Sequence, residues 1–210
     1  MNIIKNIILD YEKIINTNIK IPLDNGDVIN FTFKPQDLPH LLGLQYLVDN
    51  PYLFEYREGR LSALELHKRM CKEDETAINT DDFENSAYFD DLYNKRIQYF
   101  SAEMVMDIIQ ARQIVKFDSL KVKNFPTKLD KIEYMFWKRY KTKDNEYGYF
   151  GVGFMSAGKK TDKNYPNTFF FRVDDDYMKY QEVVLPLSII KKVKTVRKNL
   201  KFIGNRFGNV

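Results

Sequence analysis

One histidine lies where the sequence changes from a strand pattern to a helix pattern. His40 is one of two histidines in 210 residues, and it falls within the stretch Phe31–Leu44. An imidazole has an unperturbed pKa of about 6.5, so it can accept or donate a proton near neutral pH. We therefore predict general acid–base catalysis by His40. The alternative is that His40 caps the helix after Pro39 or is a half-buried structural side chain.

A strand pattern near the C-terminal end carries two groups that could hold a phosphate. Alternation along Thr168–Val173 puts Thr168, Phe170 and Arg172 on one face. A guanidinium can bind phosphate through two parallel hydrogen bonds, and a threonine hydroxyl can donate another. Arg172 and Thr168 are candidates for catalytic roles there, and structural roles for both remain open.

Other cations and aromatic rings are candidates for contacts with nucleic acid. Lys138 ends a predicted strand, and Arg96 lies on a predicted helix in a stretch rich in acids. Surface ion pairs are the favoured explanation for both, with Lys138 kept as a possible nucleic-acid contact. Tyr149 and Tyr177 could stack on unpaired bases, although most aromatic rings in such a chain must be core.

The formal net charge of +4 is unevenly distributed. Residues 73–91 contain eight acids and no lysine or arginine, whereas no acid follows Glu182. A cationic end attracts polyanions such as nucleic acid, although a solvated tail gives the same pattern. We select Lys192, Lys194 and Lys198 as nucleic-acid contacts. The basic residues of this end are Lys191, Lys192, Lys194, Arg197, Lys198, Lys201 and Arg206.

Other chemistries have little support in the sequence. His67 has no partner at metal-ligand spacing, so we predict an exposed helix position for it. Cys71 is a lone thiol that we expect to pack as a small hydrophobic group. Gly151 and Gly153 lack the remaining residues of a phosphate loop and more simply mark a bulge or a close backbone approach. We predict neither a metal site nor a cofactor.

Composition indicates a globular protein. Apolar residues are 44% and aromatic residues 15% of the chain. No apolar run reaches membrane-spanning length, and the N-terminal stretch lacks the pattern of a cleaved signal. One cysteine excludes an internal disulfide, which fits a reducing cytoplasm.

The first half of the chain has mainly helical periodicity. Asn2–Thr17 has one apolar stripe and predicts an amphipathic helix. Asn25-Gly26 between two strand patterns predicts a hairpin, and Pro39 fits the first turn of a short helix. A further helix over Leu61–Lys72 would be capped by Ser62.

The second half changes to a strand period. Between the two halves, the acidic Glu73–Asp82 segment predicts an exposed loop, and residues 84–115 predict helices, one starting at Ser101. Helices followed by strands indicate an α+β fold with one antiparallel sheet. We expect a single domain over residues 1–190 and a basic extension over residues 191–210. The predicted strands are Ile114–Phe117, Ile132–Tyr140, Tyr147–Met155, Thr168–Val173 and Val183–Leu187.

These elements contain short motifs that resemble a known nuclease family. The motifs are His-Leu-x-Gly-Leu within Phe31–Leu44, Ser86-x-Tyr88 leading to Lys95-Arg96-Ile97, the aromatic strand Tyr147–Phe150, Thr168–Arg172, and then Tyr177 and Gln181. Through these motifs the chain resembles the phage Barnase–EndoU–colicin–RelE-like nuclease domains of the fourth group, over roughly residues 10–194.

The resemblance implies a fold and an activity. The fold would place N-terminal helices and a hairpin against a C-terminal antiparallel sheet. The activity would be metal-independent endoribonuclease cleavage by attack of the RNA 2′-OH, in a toxin-like or phage-encoded hydrolase. Its substrate would be single-stranded or tRNA-like RNA, and its possible partner an antitoxin or immunity protein. The chain has no second histidine near His40 to complete an acid–base pair.

Two alternatives stay open at this point. One is a non-catalytic nucleic-acid-binding or phage–host interaction protein, including an inhibitor of a host defence system. The other is a structural or partner-binding domain that uses the acidic segment.

Overall fold

The computed structural model describes residues 2–123, 129–141, 147–156 and 163–193. Most helices come first in the chain and most strands later, as the α+β class requires. The helices are α1 (Ile3–Tyr11), α2 (Asp37–Leu42), α3 (Pro51–Arg57), α4 (Ala63–Met70), α5 (Asp81–Glu84), α6 (Phe89–Lys95) and α7 (Ala102–Gln110). The strands are β1 (Thr17–Pro22), β2 (Val28–Thr32), β3 (Ile114–Lys116), β4 (Ile132–Lys141), β5 (Tyr147–Ser156), β6 (Asn164–Arg172), β7 (Glu182–Val184) and β8 (Ile190–Val193).

The predicted helix caps are confirmed. The Ser62 hydroxyl accepts a hydrogen bond from the backbone N–H of Glu65 at 3.1 Å, and Ser101 accepts one from Met104 at 3.0 Å. Each bond satisfies a donor that the first turn of a helix leaves without a backbone partner.

The predicted helix over Asn2–Thr17 is too long at its C-terminal end. Helix α1 ends at Tyr11, and the following residues form tight turns in which Ile14 bonds back to the carbonyl of Tyr11. Asn16 has a φ of 65°, and Thr17 already belongs to strand β1. Because Ile14 stays buried in these turns, its apolar spacing imitates a longer helix.

The strands form two antiparallel sheets instead of the single sheet that was predicted. The five-stranded sheet has the order β6-β5-β4-β3-β7. The hairpin of β1 and β2 turns at Gly26, whose φ is 87°, and pairs with β8 to give a three-stranded sheet of order β2-β1-β8. Strand β8 includes Lys191 and Lys192, the first two residues of the predicted extension.

Strand β6 starts earlier than the predicted Thr168. It begins at Asn164 and contains Pro166, which has no backbone N–H to donate. The strand tolerates this proline because β6 is an edge of its sheet. The Asn164 side chain accepts the backbone N–H of Asn30 at 3.1 Å and so joins the two sheets.

Two helices were not predicted. Helix α3 starts at Pro51, and the Asn50 side chain accepts the N–H groups of Tyr52 and Leu53. Helix α5 begins at Asp81, inside the acidic segment predicted as a loop, and Thr80 before it is buried. The expected exposed loop is therefore partly folded into the protein at that end.

Apolar side chains pack on both faces of the five-stranded sheet. The larger core lies between this sheet, the helices and the hairpin, and a smaller cluster on the opposite face includes Phe117, Met135, Phe170 and Met178. Within the described ranges, no helix is both long enough and apolar enough to cross a membrane.

Candidate functional site

His40 lies on α2 in a half-buried position. The Tyr56 phenol on α3 is 2.8 Å from His40 Nδ1 and 3.1 Å from Nε2. Burial lowers the pKa of His40, so the neutral imidazole dominates at neutral pH. If Nδ1–H donates to the phenol oxygen, Nε2 keeps its lone pair and can accept a proton.

Asp37, one turn before His40, is a buried acid. Its carboxylate accepts the backbone N–H of Lys34 at 2.8 Å. Burial raises the pKa of Asp37 to about 7, against the favourable effects of that hydrogen bond and of the Lys34 charge. Helix α2 thus carries a carboxyl whose pKa is raised to about 7 and, one turn later, an imidazole whose pKa is lowered by burial.

Strand β6 presents Thr168, Phe170 and Arg172 on one face, as the alternation predicted. Opposite them on β5 stand Gly153, Gly151 and Tyr149, respectively. A Cβ atom at Gly151 would lie 2.1 Å from the Phe170 ring, and one at Gly153 would lie 2.8 Å from Thr168 Cγ2.

The predicted close approach at these two glycines is therefore confirmed. The register of β5 and β6 also shifts between Gly153 and Phe154, so the predicted bulge is present as well.

Arg172 ends β6 and pairs with an acid close in sequence. Its Nε and Nη2 each donate to the Asp174 carboxylate at 2.8 Å. Its guanidinium also lies 4.9 Å from the centre of the Tyr177 ring, which in turn packs edge-on against Phe170. The hydrogen bond from Arg172 lowers the pKa of Asp174. A phosphate at Arg172 must share or replace this pair.

Arg96 is not the surface ion pair that was predicted. Its Nη1 donates to Thr168 Oγ1 at 3.2 Å, and its guanidinium lies 5.5 Å from the centre of the Tyr46 ring. Asp91 pairs with Lys95 instead, at 2.6 Å. The cause is the backbone at the end of α6, where Arg96 has φ −144° and ψ −61° and leaves the helical path.

Arg96 connects β6 to the end of the His40 helix. Gly43 caps α2 with a φ of 74°, and a Cβ built there would lie 3.2 Å from Arg96 Nη1. Helix α2 itself packs against β6. The structure therefore groups Thr168 and Arg172 on one face of β6, packs Tyr177 beside Arg172, and brings Arg96 to Thr168.

His40 is connected to this group through its helix and not through a contact of its own side chain in the described ranges. Its helix contacts the strand of Thr168, yet in the described ranges its own polar contact is with Tyr56. The convergence of His40, Thr168 and Arg172 on one phosphodiester stays a prediction.

The remaining candidates divide between paired and exposed side chains. Lys138 forms the predicted ion pair, with Asp107 at 2.7 Å. Tyr149 is half-buried, with its ring centre 5.9 Å from that of Trp137. Lys192 is exposed on β8, whereas Lys194 and Lys198 lie outside the described residues.

Two sequence predictions about the helix α4 region are wrong. His67 is 6% exposed instead of surface-exposed, because its face of α4 packs on α2 and α3. Cys71, expected to pack as a small hydrophobic group, is exposed at the end of that helix. His67 Nδ1 lies 3.6 Å from the Cys71 sulfur.

Sequence reasoning missed the roles of Tyr56, Asp37 and Tyr46. Tyr56 belongs to α3, whose Asn50-Pro51 start was an available helix signal. Asp37 stands three residues before His40, a spacing that places both on neighbouring turns. No local signal identifies the contact of Tyr46 with Arg96.

The fold and these groups are consistent with an α+β nuclease. A family model described as phage-Barnase-EndoU-ColicinE5/D-RelE like nuclease4 (PBECR4) matches residues 3–205, and the chain belongs to this family. The resemblance found in the sequence is thereby confirmed, over a wider range than predicted. No curated protein and no solved structure matches the chain.

Proposed function

We propose that this protein is a metal-independent endoribonuclease of the toxin-like or phage-encoded kind. One observation carries the proposal: α2, with its half-buried neutral His40, packs against β6, with Thr168 and Arg172. A proton acceptor and two phosphate-binding groups then belong to neighbouring elements, and Arg96 links the end of α2 to Thr168 at the edge of the sheet. We propose that these groups act on a single phosphodiester.

The proposed reaction starts at the RNA 2′-OH. His40 takes its proton, the 2′ oxygen bonds to phosphorus, and the bond from phosphorus to the 5′ oxygen breaks. The leaving 5′ oxygen takes a proton from solvent water, and His40 later returns its proton to solvent, so the products are a 2′,3′-cyclic phosphate and a 5′-OH. Thr168 and Arg172 stabilise the negative charge that develops on the phosphoryl oxygens.

Labelled RNA incubated with purified protein in excess EDTA tests this function. We expect cleavage into fragments ending in a 2′,3′-cyclic phosphate. A matched RNA with a single 2′-deoxy nucleotide at the cleavage site should resist cleavage there. Cleavage that stops in EDTA, or that also occurs at the 2′-deoxy position, would contradict the proposed chemistry.

A second candidate function is non-catalytic binding of nucleic acid. It is favoured by the bidentate pair of Arg172 with Asp174, which engages one edge of the guanidinium. Exposed Lys192 on β8 could then contribute to RNA affinity without chemistry. Intact RNA after prolonged incubation, together with salt-dependent retention in filter binding, would select this candidate.

The proposed activity also suggests its partners. A toxin-like ribonuclease in a cell is compatible with its host only if an antitoxin or immunity protein blocks its site. Co-expression and co-purification with products of adjacent reading frames would test that partner.

A further inference from the structure

Arg96 is a cation without a carboxylate. It is half-buried at the end of α6, and in the part of the chain that the structure describes it forms no ion pair. Burial lowers the pKa of its guanidinium, which is the mark of a charge that has lost water without gaining an anion. Such a charge is costly unless an opposite charge arrives.

The surroundings of Arg96 are neutral and partly open. In the described ranges they include the Thr168 hydroxyl, the face of the Tyr46 ring, the Gly43 backbone and the Tyr177 side chain. Tyr46 is 46% exposed, so solvent reaches the rim of this group. Of the five N–H donors of a guanidinium, the hydrogen bond to Thr168 uses one.

Gly43 makes room for this guanidinium. Its φ of 74° suits the end of α2, and any Cβ at that position would press on Arg96 Nη1 at 3.2 Å and on the Tyr46 ring at 3.1 Å. The close approach holds the guanidinium between α2 and β6.

A second guanidinium lies on the same face of β6. Tyr177 contacts Arg172 directly and also interacts electrostatically with Arg96. Arg172 already has Asp174 as its anion, whereas Arg96 has none in the described ranges. Of the two guanidinium groups, Arg96 is therefore the one expected to gain more from binding an external anion.

We infer that Arg96, with Thr168, forms a phosphate-binding site that holds a phosphodiester of the RNA substrate between Gly43 of α2 and strand β6. The inference rests on the proposed function in taking RNA as the polyanion. Arg96 is then an additional substrate-binding residue, and its fork replaces water with phosphate oxygens.

Thermal unfolding in inorganic phosphate tests the site without RNA. We expect phosphate to raise the Tm of the natural protein above that in sodium chloride of equal ionic strength, since a ligand bound only by the folded state stabilises it. Arg96→Met should abolish this rise without lowering the Tm in sodium chloride. Arg57→Met, which removes an arginine paired with Glu58, is the matched control and should keep the rise.

The opposite results overturn the inference. They are a phosphate response that persists in Arg96→Met, a natural protein that does not respond, or a response abolished equally in Arg57→Met. If Arg96→Met has a lower Tm in sodium chloride but keeps the phosphate response, the role of Arg96 is to stabilise the fold and not to bind phosphate. If Arg96→Met does not fold, Thr168→Val keeps the charge and shape, and its undiminished phosphate response would equally overturn the site.

Binding of an uncleavable 2′-O-methyl RNA separates this inference from the proposed function. Arg96→Met should weaken that binding by about tenfold to a hundredfold, the typical range for a charged hydrogen-bonded pair. If the natural protein fails to cleave RNA but these losses occur, the site stands and the ribonuclease proposal falls. If the natural protein cleaves RNA and Arg96→Met binds as tightly as it does, the ribonuclease stands and the site falls.

Discussion

The two histidines occupy helices that touch, yet their surroundings differ. Burial lowers the pKa of both His40 and His67. His40 is half-exposed and contacts the Tyr56 phenol, on a helix that also packs against β6. His67 is almost fully buried, and its Nε2 has no hydrogen-bond partner in the described ranges. Because His40 is more accessible and contacts a phenol, we predict that His40, and not His67, transfers protons.

The largest expected effect is the loss of RNA cleavage in His40→Ala. A general acid or base contributes about a hundredfold to ten-thousandfold in rate, and we expect a fall of that size under single-turnover conditions. RNA affinity should change little, because the assigned role is proton transfer.

His67→Leu is the control for that comparison. It removes the other imidazole from a helix in contact with α2, and cleavage should continue near the natural rate. Equal loss of activity in the two variants would contradict a catalytic role that belongs to His40 and not to His67. Full activity in His40→Ala would make His40 structural.

A second prediction concerns the buried acid on α2. The Asp37 pKa is about 7 in the folded protein against an ordinary 3.8, so the folded state binds more protons between these values. The natural protein should lose stability as pH rises from about 4 through about 7. Asp37→Asn cannot ionise, so its advantage should grow across that window, to at most about 4 kcal/mol.

Urea denaturation at a series of pH values measures this difference. The difference should level off above about pH 8, where the folded carboxyl is fully ionised. A difference that is constant from pH 4 to pH 8 would show that Asp37 titrates as an ordinary acid.

A third and smaller effect is expected for stability in His67→Leu. Replacing a buried ring nitrogen that lacks a partner should raise the free energy of unfolding by about 1–2 kcal/mol. The His67 pKa is lowered on folding, so the natural protein loses stability as pH falls through about 6.5. The gain should therefore be larger at pH 5 than at pH 8 in chemical denaturation. A smaller gain at pH 5 would reverse the assigned sign.

The smallest expected effect is that of Tyr56→Phe. A single hydrogen bond contributes about 0.5–1.5 kcal/mol, which corresponds to roughly twofold to tenfold in cleavage rate. The pH dependence of the rate should shift with it, since the phenol contacts the imidazole directly. An unaltered rate and pH profile would show that the Tyr56 phenol does not influence proton transfer by His40.

Features with a local cause could be predicted from the sequence. Ser62 and Ser101 cap helices through bonds three residues away, and Asn25-Gly26 sets its own turn. The central strands β4 and β5 also lie close to their predicted bounds, because their side chains alternate between two apolar clusters.

Features with a distant cause could not be predicted. The surroundings of Arg96 come from Tyr46 and Thr168, both far away in sequence, so a helix pattern with nearby acids suggested a surface ion pair. The burial of His67 depends in the same way on the packing of α4 against α2. Strand β8 was missed because its lysines resemble a solvated tail until β1 is placed beside it.

The pairing of β1 with β8 has a consequence for when the protein can fold during synthesis. Ile19 of β1 is opposite Lys191 of β8, about 170 residues later in the chain. At 5–20 residues per second, a ribosome needs roughly 9–34 s to make that length. Until β8 is made, one edge of β1 has no partner strand, and Ile19 is less buried than in the folded protein. A nascent chain can therefore complete its three-stranded sheet only after β8 has been translated.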